Sequence, residues 1–300
     1  MTGTERVGVV GCGLMGAGIA EVCARVGLRV TVAERDGAAA RAGRQRVDRS
    51  LERAVGHGKL SPEQRDAALE RITVVDDLGA LHDSELVVEA VAEDERVKLD
   101  VFTRLDAVVT SADTILASNT SSIPVIRLAA ATSRPDMVVG VHFFNPVPVL
   151  RLVELVPSLL TSDETTRRAE AFVVETLGKE AVRAQDRAGF VVNALLVPYL
   201  LAAVRMVESG MATARDVDRA MVTGCAHPLG PLALTDLIGL DTTRAIAESL
   251  YTEFKEPLYA PPPLLCRMVE AGLLGRKSGS GFHTYAQEPM RAAPTAVARA

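Results

Sequence analysis

The 300-residue chain is 48% hydrophobic and 24% charged, with a formal net charge of −5. That balance belongs to an ordinary globular protein with a sizeable core, and the acidic excess argues against a nucleic-acid surface, which needs clustered Lys and Arg to release counterions from phosphates. The four cysteines, Cys12, Cys23, Cys225 and Cys266, form no C-x-x-C pair and no zinc-type spacing, so no metal site is expected and the thiols read as reduced core residues of a cytoplasmic protein.

The opening Met1-Thr2-Gly3-Thr4-Glu5-Arg6 lacks the basic start and long apolar centre of a signal peptide. Val7-Gly8-Val9-Val10 is a short uncharged run suited to a strand covered on both faces. Glycines follow, then a helix is predicted over 16–25 and a strand over 28–33, a strand–helix–strand unit long enough for a parallel crossover. A helical region over 38–71 breaks near Gly56-His57-Gly58 and restarts at Ser61-Pro62-Glu63-Gln64, with Ser61 as N-cap, Pro62 at the first helical position and Gln64 at N3. Further strands are predicted over 73–75, 86–89, 114–117 and 137–142, with helices between the later ones. This alternation points to an α/β fold built on a doubly wound parallel sheet. Past Asp186 the pattern changes: helices are predicted over 191–208, 213–223, 231–236, 240–255 and 263–271, and no strand. An α/β domain over 1–186 and an all-helical domain over 187–300 are therefore expected. The longest apolar stretch, 190–204, contains Asn193 and Pro198 and is too short to span a bilayer, so it reads as a buried helix.

Gly11-Cys12-Gly13-Leu14-Met15-Gly16 matches G-x-G-x-x-G, and its place between a strand and a helix gives the pattern its meaning as the dinucleotide fingerprint of a Rossmann-type sheet. Gly11 permits the tight turn, Gly13 lets the backbone approach a pyrophosphate, and Gly16 allows close helix–strand packing. Leu14 and Met15 open the helix whose free N–H groups would face the phosphates. Glu34 ends the second strand, where a carboxylate can accept from an adenosine ribose and repels a 2′-phosphate, so NAD is expected over NADP. A solvated strand-end charge is the alternative, and the neighbouring Arg35 works partly against the preference.

His142 ends the strand over 137–142, and ligands of open α/β sheets bind beyond the carboxyl ends of strands. An imidazole there can exchange a proton near neutral pH, as oxidation of a secondary alcohol by hydride loss requires. Glu154 interrupts the apolar run Leu152-Val153-Glu154-Leu155-Val156; an acid so placed needs a partner, and His142 is the obvious one. Ser118-Asn119-Thr120-Ser121-Ser122 follows the strand over 114–117 and emerges at the same sheet edge, unless it serves only to cap a helix. Asn193 begins the long apolar helix, where an unpaired amide is penalised, so a site role competes with a buried structural contact.

Together these features resemble the short-chain L-3-hydroxyacyl-CoA dehydrogenases, in particular the bacterial 3-hydroxybutyryl-CoA dehydrogenases. The resemblance runs over about residues 6–285 and includes 11–18, Val88-Glu89-Ala90-Val91-Ala92-Glu93, 117–123, 140–149, 189–198, 227–241 and 275–285. It implies an oxidoreductase of fatty acid metabolism that interconverts (S)-3-hydroxyacyl-CoA and 3-ketoacyl-CoA with NAD. Ser121, His142, Glu154 and Asn193 match the family's catalytic positions. His142 would take the 3-hydroxyl proton, Glu154 would orient and steady it, Ser121 would bond the 3-oxygen, and Asn193 would position the acyl portion. Glu93 and Lys98 match cofactor contacts, and Asn119 lies near the nicotinamide end. Ser50 and Lys59 fall in the helical hairpin that contacts coenzyme A in relatives. The resemblance also implies a homodimer formed mainly by the helical domains. Ala194 departs from it, standing where the family often has Arg. The run Gly275-Arg276-Lys277-Ser278-Gly279-Ser280-Gly281 looks like a phosphate loop but follows no strand, and in the family it is a structural turn. Residues after Tyr285 are Ala- and Pro-rich and read as a loose tail. Two other substrates remain open at this level: the same chemistry on an acyl-carrier-protein thioester, and a sugar acid as in lambda-crystallin relatives. A non-enzymatic NAD-binding protein is disfavoured by the intact catalytic set.

Overall fold

Continuous burial along the central strands decides the architecture. The computed structural model describes residues 4–285, so the predicted tail past Tyr285 lies outside the described residues. Two compact units are present, Met1–Val191 and Val192–Ala300. The first contains β1 (Arg6–Val10), α1 (Leu14–Arg25), β2 (Arg29–Ala33), α2 (Gly37–Gly56), α3 (Pro62–Glu70), β3 (Ile72–Val75), β4 (Leu86–Glu89) and α4 (Glu95–Val108). It continues with β5 (Ile115–Ser118), α5 (Val125–Ala130), β6 (Val138–Phe143), β7 (Leu152–Pro157), α6 (Asp163–Ala171) and β8 (Glu180–Arg183).

The eight strands form one sheet in the order β3-β2-β1-β4-β5-β6-β7-β8. Every neighbouring pair is parallel except β6 and β7. Successive side chains point to opposite faces, and each face has its own core. Val7, Val9, Val30, Val32, Leu86 and Val88 pack with Ile19 and Cys23 of α1 and Val47 and Leu51 of α2. Val10, Ala33, Val87 and Leu116 pack with Phe102 and Leu105 of α4 and Leu128 of α5. Each such aliphatic side chain contributes roughly 1.5–3 kcal/mol when fully buried, so a strand buried on both faces needs an uninterrupted apolar run. The doubly wound sheet expected from sequence is present, with one correction. β7 and β8 join it as strands, and β7 runs against β6 because the connection over 144–151 contains no crossover helix.

The second unit contains α7 (Val192–Glu208), α8 (Ala214–Cys225), α9 (Pro231–Ile238), α10 (Leu240–Phe254) and α11 (Pro263–Glu270), and no strand among the described residues. Its C-terminal turn is organised by the buried Asp236, whose carboxylate accepts from the N–H groups of Phe282 and His283 and from the Tyr285 hydroxyl, each at 2.9 Å. A Cβ at Gly281 would lie 2.0 Å from Asp236 Oδ1 and one at Gly275 would lie 2.3 Å from the Asp236 carbonyl oxygen. The glycines of 275–281 thus allow backbone to close on a carboxylate, and the segment is a structural turn. Among the described residues no helix is long and apolar enough to cross a membrane.

Candidate active site

The glycine loop is built from both sides. Gly11 takes φ +87°, which L side chains avoid, and its N–H donates to the Ala33 carbonyl at 2.8 Å. A Cβ on Gly16 would lie 1.8 Å from the Gly11 carbonyl oxygen, so α1 starts hard against the loop. A Cβ on Gly13 would meet no protein atom within 4 Å. Gly13 is the N-cap of α1, no side chain caps the helix, and no acid occupies its first turn. The leading N–H groups and the positive helix end are left for an anion on that open side. This arrangement fits a dinucleotide pyrophosphate.

Behind the loop, Glu34 Oε1 accepts from the Cys12 N–H at 2.6 Å and its Oε2 from the Arg35 N–H at 3.1 Å. The Cys12 carbonyl accepts from the Arg46 guanidinium, and a Cβ on Gly43 would lie 2.5 Å from Cys12 Cβ. Burial, and then the Glu34 charge, push the Cys12 thiol up to about 11, against Arg46. It is therefore protonated near neutral pH and a packing group rather than a nucleophile.

Beyond β4 lies a second cluster. Lys98, only 1% exposed, donates from Nζ to Glu89 Oε1 at 2.6 Å and pairs with Glu93 Oε2 at 3.2 Å. Glu93 sits at the rim, and its Oε1 accepts from the Thr120 hydroxyl at 2.6 Å and from the N–H groups of Ser121 and Ser122 at 2.8 and 3.1 Å. The Ser121 hydroxyl lies 3.3 Å from the same oxygen. Burial pushes the Glu93 carboxyl up, but the Lys98 charge with the Thr120 and Ser121 donors holds it below the usual carboxylate range. Asn119 ties β5 to β6, its Oδ1 accepting from the Phe143 N–H at 2.8 Å.

His142 and Glu154 stand directly opposite each other in the antiparallel β6–β7 ladder. Nδ1 of His142 is 2.8 Å from Glu154 Oε2, both residues are buried, and Glu154 Oε1 accepts from the Val191 N–H at 3.0 Å. A carboxylate that only accepts places the imidazole proton on Nδ1 and leaves Nε2 free to take another. Phe144 and Phe190 pack edge-on to the imidazole, with centroids 4.6 and 5.5 Å away, so the ring is held in one plane.

β1, β2, β4, β5 and β6 are mutually parallel, so Gly11–Gly16, Glu34, Glu93, Asn119, Ser121 and His142 all emerge at one edge of the sheet. Ser50 and Lys59 are not in that group. The Ser50 hydroxyl donates to the buried Glu21 at 2.5 Å, fastening α2 to α1, and Lys59 is exposed in the turn after α2. Asn193 is a buried residue of the first turn of α7, in the second unit. Sequence reasoning gave no role to Glu89 or Phe190, and named Ser118 only as part of the polar run 118–122. An acid closing an apolar strand was the available signal for Glu89, the same signal that marked Glu154.

The NAD-binding domain of 3-hydroxyacyl-CoA dehydrogenase matches residues 6–187, and the C-terminal domain of 3-hydroxyacyl-CoA dehydrogenase matches residues 189–285. A 3-hydroxybutyryl-CoA dehydrogenase of Mycobacterium tuberculosis is 60% identical over 281 residues, 94% of this chain and 98% of that protein. Among solved structures, M. tuberculosis FadB2 matches with a TM-score of 0.94 at 60% identity, covering 95% of this chain and 100% of that one. The (S)-3-hydroxybutyryl-CoA dehydrogenase PaaH1 of Ralstonia eutropha matches with a TM-score of 0.89 at 44% identity, over 95% and 100% of the two chains. Both domains, in this order and over nearly the whole chain, place the protein in the 3-hydroxyacyl-CoA dehydrogenase family as an NAD-dependent oxidoreductase.

Proposed function

We propose that the protein interconverts (S)-3-hydroxybutyryl-CoA and acetoacetyl-CoA with NAD, and that it belongs to cytoplasmic fatty acid metabolism. The observation that carries the mechanism is the buried His142–Glu154 pair at the carboxyl edge of the sheet. Bound NAD supplies the hydride acceptor. As the hydride leaves C3, His142 Nε2 takes the hydroxyl proton and the C3–O bond becomes a carbonyl; in reduction the same proton returns. Glu154 holds the ring and offsets the imidazolium charge. Ser121 donates to the 3-oxygen, and Asn193 positions the acyl portion, as the family resemblance implies. The amides of Gly13, Leu14, Met15 and Gly16 receive the pyrophosphate, Glu34 the adenosine ribose, and Glu93, Lys98 and Asn119 border the nicotinamide end. Ser50 and Lys59 are assigned to the coenzyme A side on the resemblance alone, with the Ser50 hydroxyl already engaged by Glu21.

Relatives named for a CoA thioester favour that carrier over an acyl carrier protein or a sugar acid. The helical domain is assigned to a homodimer, to be checked by light scattering. The decisive experiment is His142→Ala: NADH binding is retained, while oxidation of 3-hydroxybutyryl-CoA falls about 10²–10⁴-fold. Near-wild-type turnover in that variant removes His142 from the reaction. A parallel steady-state screen of acetoacetyl-CoA, longer 3-ketoacyl-CoAs and carrier-protein thioesters, each with NADH and NADPH, sets the substrate.

A further inference from the structure

Beneath the turn that carries Ser121 lies a buried network that neither the glycine motif nor the His142–Glu154 pair uses. Glu89, the last residue of β4, is fully buried. Its Oε1 accepts from Lys98 Nζ at 2.6 Å and from the Val91 N–H at 2.7 Å, and its Oε2 accepts from the Ser118 hydroxyl at 2.7 Å. Two routes lead from this carboxylate to Ser121. The shorter runs through Ser118, whose Oγ accepts from the Thr120 N–H at 3.2 Å. The longer runs through Lys98 to Glu93, which gathers the N–H groups of Ser121 and Ser122 and the Thr120 hydroxyl. All three amides of the turn are therefore fastened within one network. The backbone of Glu89 adds a third tie, its carbonyl accepting from the Asn119 N–H at 2.9 Å, and Asn119 in turn holds the Phe143 N–H beside His142.

A buried ion pair is an inefficient way to gain stability, since well-packed apolar residues in its place are often neutral or stabilising. What this pair supplies is direction. We propose that Glu89 is a positioning residue for the reaction: through Ser118 and Lys98 it fixes the 120–122 turn, and with it the aim of the Ser121 hydroxyl, relative to the strand that carries His142. The proposal rests on the dehydrogenase reading for its kinetic consequence, not for its structural one. Lys98 is shared unequally, 2.6 Å from Glu89 and 3.2 Å from Glu93. Removing the Glu89 charge draws the ammonium onto Glu93 and loosens that carboxylate from the turn.

Glu89→Gln keeps the side-chain volume and deletes the charge. Its kcat for 3-hydroxybutyryl-CoA oxidation is expected to fall on the order of 10²-fold, the scale of a misplaced reacting group. In a double-mutant cycle with Ser121→Ala, the double variant is expected to be no slower than Ser121→Ala alone, because both changes remove the same interaction. Amide exchange at Thr120, Ser121 and Ser122 accelerates in Glu89→Gln while exchange in α1 does not. Losses that multiply in the double variant, or unchanged exchange at the three amides, overturn the proposal. Should Glu89→Gln fail to fold, Ser118→Ala cuts the shorter route alone and is read in the same cycle and the same exchange measurement. A wild-type protein without thioester turnover would remove the dehydrogenase reading, and exchange at the three amides would still decide the link from Glu89 to the turn.

Discussion

Glu34 has one task that the structure shows and a second that we propose for it, and the two pull its variants in different directions. One oxygen bonds the Cys12 N–H and braces the glycine loop, and the carboxylate also stands where an adenosine ribose would be received. A hydrogen bond to a charged group is worth about 1.5–3 kcal/mol, so Glu34→Ala should raise the NADH dissociation constant roughly 10- to 100-fold. Fluorescence titration with both cofactors separates the tasks: loss of the brace weakens NADH and NADPH together, and loss of the ribose contact weakens NADH more. An unchanged ratio between them removes the ribose contact. Glu93 carries a pH signature. Its carboxyl lies below the ordinary 4.5 because Lys98 and the donors of the 120–122 turn outweigh burial. The ionised form therefore stabilises the fold above pH 4.5, and that contribution is lost as pH falls through the lowered folded value. Wild type and Glu93→Gln should differ in thermal midpoint by a constant amount near neutrality and converge in acid. A gap that widens on acidification contradicts this account. At this scale the sequence showed His142 and Glu154 clearly, because an acid in an apolar run demands a partner. It hid Glu89 and the bond that Ser118 makes to it, which depend on contacts across β4, α4 and β5, and Phe190, whose ring reaches His142 from a residue at φ +48°.

Helix α1 shows how one motif divides its labour among its glycines. Gly16 has the Gly11 carbonyl oxygen where a Cβ would go, whereas Gly13 has open space. Gly16→Ala should therefore lose stability by about 1–3 kcal/mol or more through overpacking. Gly13→Ala should keep its thermal midpoint and lose NADH affinity, because its methyl enters only the open space that we propose receives the pyrophosphate. The pair is read by thermal unfolding and NADH titration, and a stability loss at Gly13 equal to that at Gly16 would defeat the distinction. Helix starts were legible where capping chemistry is local: Ser61 and Gln64 form the reciprocal capping box at the head of α3. β7 and β8 were less legible as strands. Glu154 interrupts the apolar run of β7, and β8 is a short, largely exposed edge with little apolar signal.

The change of architecture along the chain was readable because strand and helix periods differ, and the helical character past Asp186 needs no long-range information. Long-range closure was not readable. The resemblance supplied the reading of 275–281 as a turn; the reason is Asp236, which lies far from it in sequence and takes two backbone N–H groups and the Tyr285 hydroxyl. Asp236→Ala leaves those part-buried donors without this acceptor, which should cost on the order of 3 kcal/mol. Urea unfolding measures it, and a wild-type midpoint would show that the turn closes by other means. The ladder that joins β6 to β7 has a further consequence. His142 and Glu154 meet because they share a rung, not because twelve positions separate them. Val147 is wedged against Gly18, and Lys179 holds the Val147 and Leu150 carbonyls, so the connection is moored on either side of Val149, which faces outward. Because the rung and not the connection sets the pair, a loop grafted at the outward-facing Val149 is expected to leave the His142–Glu154 contact in place.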